Sequence, residues 1–140
     1  MDFQELNEKD AYYITVNLEG DSPQTAGNYG RFFVARYPIE VLRVTKIQET
    51  KASNAGAVTL DVKKVPDATA ISGGVSILAT PFNLKSADNT VVIKEGVNLN
   101  GNRILKEKES LALVSTGTLT DLTGVQVTVY FKFANRGSYR

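Results

Sequence analysis

The 140-residue chain contains no cysteine, histidine or tryptophan. Losing the first two together removes disulfide staples, thiol nucleophiles, imidazole bases, zinc fingers and haem ligation, since each requires a thiolate or an imidazole. A surplus of charge is missing as well: 16 Lys and Arg face 15 Asp and Glu, for a formal charge of +1. That balance provides no global field to gather nucleic acid or an anionic membrane. No apolar run approaches the roughly 18 residues that would cross a bilayer. The opening MDFQELNEKD has no apolar stretch between a basic flank and a small-residue cleavage site, so a chain soluble at synthesis is expected. The chemistry left open is that of carboxylates.

What the sequence does contain is strand pattern, enough for one domain with one core. Tyr12, Ile14, Val16 and Leu18 alternate with Tyr13, Thr15 and Asn17. Residues 19–30, EGDSPQTAGNYG, then concentrate Gly, Asp, Ser, Pro and Asn, which predicts a loop. From Arg31 onward short β-branched and aromatic runs recur, and no segment keeps a 3.6-residue apolar period for three turns. The run 39–50 changes its apolar register between Val41 and Leu42, which predicts a bulge. Ser53 to Gly56 reads as a hairpin-type connection to the alternating Val58, Leu60 and Val62. Residues 75–80 and 91–94 read as strands, Asn100 and Gly101 as a tight turn, and 111–115 as a further strand. In 125–133, VQVTVYFKF, the residues Val125, Val127, Val129, Phe131 and Phe133 share one face. About eight or nine strands at this spacing predict an all-β fold, a two-sheet antiparallel β-sandwich of jelly-roll type. The organisation expected is an N-terminal arm over 1–30, a sandwich over 31–134 and a C-terminal tail over 135–140.

Candidate chemistry is thin. Glu107 and Glu109 would share a strand face, as a glycosidase pair needs, but they alternate with Lys106 and Lys108 in what reads as a solvated turn. Asn98, Asn100 and Asn102 imitate the spacing of a calcium loop, yet amides without a carboxylate bind a hard cation poorly. Gly20, Gly27 and Gly30 lack the Lys and Ser or Thr of a phosphate loop. Tyr12, Tyr13, Phe32, Phe33 and Tyr37 would suit a stacking platform, but alternation sends three of the five inward, which favours core or subunit contact. Arg136 and Arg140 are too few to hold nucleic acid by counterion release. No catalytic residue, metal ligand or cofactor is therefore expected.

One asymmetry stands out. Residues 1–10 carry four acids against one lysine, whereas 131–140 carry Lys132, Arg136 and Arg140 with no acid. Complementary ends of this kind fix register in an assembly more than they add affinity.

From Tyr29 to Phe133 the order of motifs resembles a β-sandwich module of tailed-bacteriophage virions, as in capsid decoration (cement) and head-fibre proteins. The segments that carry it are YGRFFVARYPIEVLRV at 29–44, AGAVTLDV at 55–62, ATPFNLKSADNTVV at 79–92, LKEKESLALVSTGTLTDLTG at 105–124 and VQVTVYFKF at 125–133. The resemblance implies a non-enzymatic structural protein on the capsid surface. It further implies a homotrimer whose partner is the major capsid protein, with neither nucleic acid nor membrane bound. Phe3, Leu6, Tyr12, Tyr13, Arg136 and Tyr139 are the expected inter-subunit or capsid contacts. Competing readings are a tail, baseplate or neck component, and a carbohydrate-binding adhesion module using the Tyr and Asn of loops 20–30 or 98–102.

Overall fold

The computed structural model describes residues 11–18 and 27–134, and these form ten strands with three single-turn 3-10 helices. The strands are β1 (Tyr12–Asn17), β2 (Gly27–Val34), β3 (Ile39–Ile47), β4 (Thr59–Val65), β5 (Val75–Ser76), β6 (Phe82–Asn83), β7 (Val92–Glu95), β8 (Ile104–Leu105), β9 (Ser110–Thr116) and β10 (Gln126–Phe133). One sheet runs β1-β10-β3-β7 with β8 also on β3; the other runs β2-β9-β4-β5 with β6 also on β4. All pairings are antiparallel.

The pairs are nested. β1 lies on β10, β2 on β9, β3 on β7 and β8, and β4 on β5 and β6. A chain folded back on itself in this way and wrapped across two sheets is a jelly roll. Because β5 with β6, and β7 with β8, are each one interrupted ribbon, the ten strands fill eight columns.

Alternation produces the core. In β4, Leu60 and Val62 are fully buried while Thr59, Asp61 and Lys63 stay partly open, and β10 repeats this with Val127 and Val129. Facing them are Val41, Val44, Leu111 and Leu113, with Ile77, Phe82, Leu84, Leu105 and Leu119 filling the ends. Each such side chain contributes about 1.5–3 kcal/mol by leaving water. The predicted bulge is present: Tyr130 pairs with Arg43 but Phe131 with Val41, leaving Leu42 as the extra residue.

Three expectations need correction. The segment 53–56 is no hairpin but a crossing between sheets, held by Ala52 N–H to Leu84 O and Ser53 N–H to Thr120 O, with Gly56 at φ +90°. Gly27 to Gly30 belong to a strand; Gly30 at φ +91° lies in one of two register shifts that flank Arg31, so the glycine marks a bulge. The strand read at 75–80 is regular only at Val75 and Ser76; Ile77 and Leu78 turn into the core, Ile77 N–H still donating to Val62 O and Leu78 forming an isolated antiparallel bridge with Leu99. The tight turn expected at Asn100–Gly101 is present as a 3-10 turn (Gly101–Arg103), with the Asn100 side chain accepting from Asn102 N–H. In addition, the strand assigned to the arm, β1, pairs with β10 of the same chain over all six residues.

Gly117 sits at φ +84°, where a Cβ would strike the Ala57 carbonyl. Gly117→Ala is accordingly expected to lower the urea-unfolding free energy by about 2 kcal/mol, against no loss for the unobstructed Gly101→Ala.

Candidate functional site

The sandwich has one end where inward-facing aromatic side chains are not covered. Phe131 and Phe133 share the inner face of β10, and Tyr12 sits opposite Phe131 on β1. Phe33 at the close of β2 and Tyr37 in the following turn approach from the other sheet. Ring centroids are 5.9 Å apart for Tyr12–Phe131, 5.2 Å for Tyr12–Phe133, 5.0 Å for Phe33–Phe131 and 5.9 Å for Tyr37–Phe133. Aromatic pairs of this geometry contribute about 0.5–1.5 kcal/mol each beyond burial. Yet Tyr12, Tyr37 and Phe133 remain 50%, 57% and 40% exposed. A contiguous apolar surface of this kind marks a contact site more often than a scatter of single exposed residues does.

The end is rigid. Ala134 N–H donates to Pro38 O, Ala35 N–H to Glu109 O, and Lys108 N–H to Ala35 O. Since Tyr12 pairs with Phe131, Ala11 and Ala134, the described residues next to the acidic 1–10 and the basic 135–140 in sequence, both belong to this end.

Of the six contact residues expected from sequence, Tyr12 is in this cluster. Tyr13 stands 70% exposed on the opposite face of its sheet, with its ring 6.0 Å from Tyr130. There Arg43 lies over Tyr130 at 5.6 Å and its Nε bonds Glu95 Oε2 at 2.7 Å. Phe3, Leu6, Arg136 and Tyr139 lie outside the described residues. Phe32 packs at the core margin. Sequence reasoning missed Val34 and Phe133 as surface. The available signal was that alternation in β10 runs to the last described strand residue, farther than a closed core requires.

The candidate chemistry resolves into structural roles. Glu107 is exposed in a turn, and the Glu109 carboxylate accepts from Lys106 N–H at 2.6 Å, with Lys108 at φ +75°. Asn100 and Asn102 use their amide nitrogens to donate to Ser76 O, and Asn100 also to Leu78 O, so they tie the loop to β5. A shallow cleft of about 410 Å³ at the opposite end is lined by Asn17, Leu18, Gln48, Glu49, Asn89 and Gln126 among others, with a single acid and no base. Among the described residues no three acids cluster as metal ligands would.

One buried polar group escaped the sequence reading. Lys46 is 1% exposed and points between the sheets. Its Nζ donates to Gln48 Oε1 at 2.8 Å, Ser86 Oγ at 2.8 Å and Asn83 O at 3.3 Å. Burial, then the nearby Lys94 charge, pushes its pKa down to about 8. All three partners are neutral and every ammonium hydrogen is used, so Lys46 is a cross-brace with no proton placed for transfer.

No protein-family model matches the sequence, and no curated protein matches it. Among solved structures, a chain of the cyanophage Pam1 capsid asymmetric unit superposes with a TM-score of 0.54 at 13% identity, over 88% of this chain and 83% of that one. A chain of the capsid of Ralstonia phage GP4 superposes with a TM-score of 0.57 at 12% identity, over 90% and 86%. A chain of the disulfide-linked pili of Bacillus endospore appendages gives 0.42 at 10% identity, over 89% of each chain. The protein is a jelly-roll β-sandwich. Its fold is shared with chains of two phage capsids.

Proposed function

We propose that the chain is a non-enzymatic structural protein of a tailed-phage virion, a capsid-decorating trimer that binds between major capsid subunits and stabilises the shell. The observation that carries this reading is the whole-chain likeness of fold to capsid chains of two phages. The uncovered aromatic end supports it, because rigid, partly exposed Tyr and Phe are the residues that anchor protein interfaces. Threefold association through Tyr12, Tyr37 and Phe133 would cover them. The acidic and basic terminal segments, Phe3, Leu6, Arg136 and Tyr139 among them, would select which neighbour fits.

Deleting residues 1–10 tests the assignment. The truncated protein is expected to keep the wild-type thermal midpoint, because every described strand begins after residue 10, and to bind cognate capsids at reduced occupancy by cryo-EM. Full occupancy would remove the arm from the contact. Absence of the intact protein from mature particles would overturn the reading itself.

A further inference from the structure

A two-sheet sandwich has four edges, and three of these are guarded. On the β7 and β8 side the strands are four and two residues long, and Lys94 turns inward, its Nζ 5.3 Å from the Phe82 ring. On the β5 and β6 side each strand is two residues long, and Pro81 precedes β6. β2 has two register shifts and Gly30 at φ +91°. Short strands, inward charges, prolines and bulges are the devices by which sheets avoid adding foreign strands.

β1 has none of them. Its YYITVN is six residues long, carries no charge, proline or glycine, and pairs with β10 in unbroken register. Among the described residues nothing pairs with its outer side. Leu18 N–H donates to Val125 O on the β10 side. Strand alternation therefore turns the backbone groups of Tyr13, Thr15 and Asn17 toward the open side.

We propose that this edge binds a second copy of the chain, β1 against β1 in antiparallel register about a twofold axis at Thr15. The occupant follows from the edges: a second copy has one unguarded strand to offer, and it is β1. The strand suits itself, since with no charge it meets no like charge. In this register Ile14 faces Val16 and Tyr12 faces Leu18 on the inner face, while Tyr13 faces Asn17 and Thr15 faces Thr15 outside. Apolar meets apolar and polar meets polar, with about six new backbone hydrogen bonds. Tyr12 of each copy then lies beside Leu18 of the other, at the cleft lined by Asn17, Leu18 and Gln126. This twofold contact shares Tyr12 with the threefold association proposed above but does not depend on the virion reading.

The absence of native cysteine makes the test direct. Thr15→Cys, on full-length protein under mild oxidation, is expected to give a reducible two-chain species on denaturing gels, because opposed residues of a sheet lie within disulfide reach. Val97→Cys, at a 92% exposed site away from β1, is the control and stays single-chain. Thr15→Pro removes an outward N–H without touching the β10 ladder, although it also loses the Thr15 Oγ1–Thr128 Oγ1 hydrogen bond, and it is expected to halve the native mass by sedimentation while the far-UV strand signal is kept. Should Thr15→Pro fail to fold, Thr15→Lys, which opposes two like charges at the axis, carries the same expectation. The proposal is overturned by crosslinking of Thr15→Cys no greater than that of Val97→Cys, by a folded edge variant with wild-type mass, or by a wild-type protein of single-chain mass at its highest soluble concentration.

Discussion

Phe82→Ala is expected to lower the free energy of unfolding by about 3–5 kcal/mol, read from urea denaturation at neutral pH. Phe82 opens β6 opposite Leu60, is 1% exposed, and is the largest apolar side chain fully buried among the described residues. Its loss removes the transfer free energy of the ring and leaves a void that the short β6 ribbon cannot close, since only Phe82 and Asn83 of that strand pair with β4. Two ammonium groups also lose a π-face, Lys94 Nζ at 5.3 Å and Lys46 Nζ at 6.0 Å from the centroid. Phe82→Leu, which retains most of the volume, is expected to cost less than about 1.5 kcal/mol. Phe133→Ala supplies the contrast: its ring is 40% exposed, so the same deletion costs well under half as much in the isolated chain. A Phe82→Ala variant within about 1 kcal/mol of wild type would show that this ring is not structural, and the packing account of the core would fail.

The sequence was readable where one strand decides its own fate. The alternation of β4 and of β10, and the register change at Leu42, are local patterns and appear in the structure as the pattern predicts. It was unreadable where the outcome depends on a partner elsewhere in the chain. Nothing local distinguishes a hairpin at 53–56 from a crossing to the other sheet; the hydrogen bonds that decide it come from Leu84 and Thr120. The glycines of 27–30 signal positive φ equally in a loop and in a bulged edge strand, and pairing with β9 settles which. The aromatic end joins Tyr12, Phe33, Tyr37, Phe131 and Phe133 from three separated segments; the sequence grouped the first three as a candidate platform but could not join them to Phe131 and Phe133. Lys46 shares a face with Val44 and Gln48 by simple alternation. Its inward aim follows from that pattern, but a lysine is so rarely buried that the pattern alone does not argue for it.

That burial has a measurable consequence in alkaline solution. In the unfolded chain Lys46 titrates near 10.5; in the folded protein burial and the Lys94 charge hold it at about 8. Below pH 8 both states are protonated and the folded state carries the full cost of a desolvated ammonium. Between pH 8 and 10.5 the unfolded chain binds the proton more strongly, so stability rises with pH across that window and levels off above it. The expected gain from this one group is about 3 kcal/mol. Lys94 is pushed down in the same direction by its own partial burial and adds to the trend, although Asp61 opposes it. The effect is isolated by comparison with Lys46→Met, which preserves length and packing but has no proton to lose. Urea midpoints measured at intervals from pH 7 to 10.5 are expected to climb for the wild type relative to Lys46→Met. Phe82→Ala, by admitting water beside Nζ, is expected to shrink the climb. Parallel curves for wild type and Lys46→Met would mean that the ammonium is hydrated in the folded protein, and that Gln48, Ser86 and Asn83 do not enclose it.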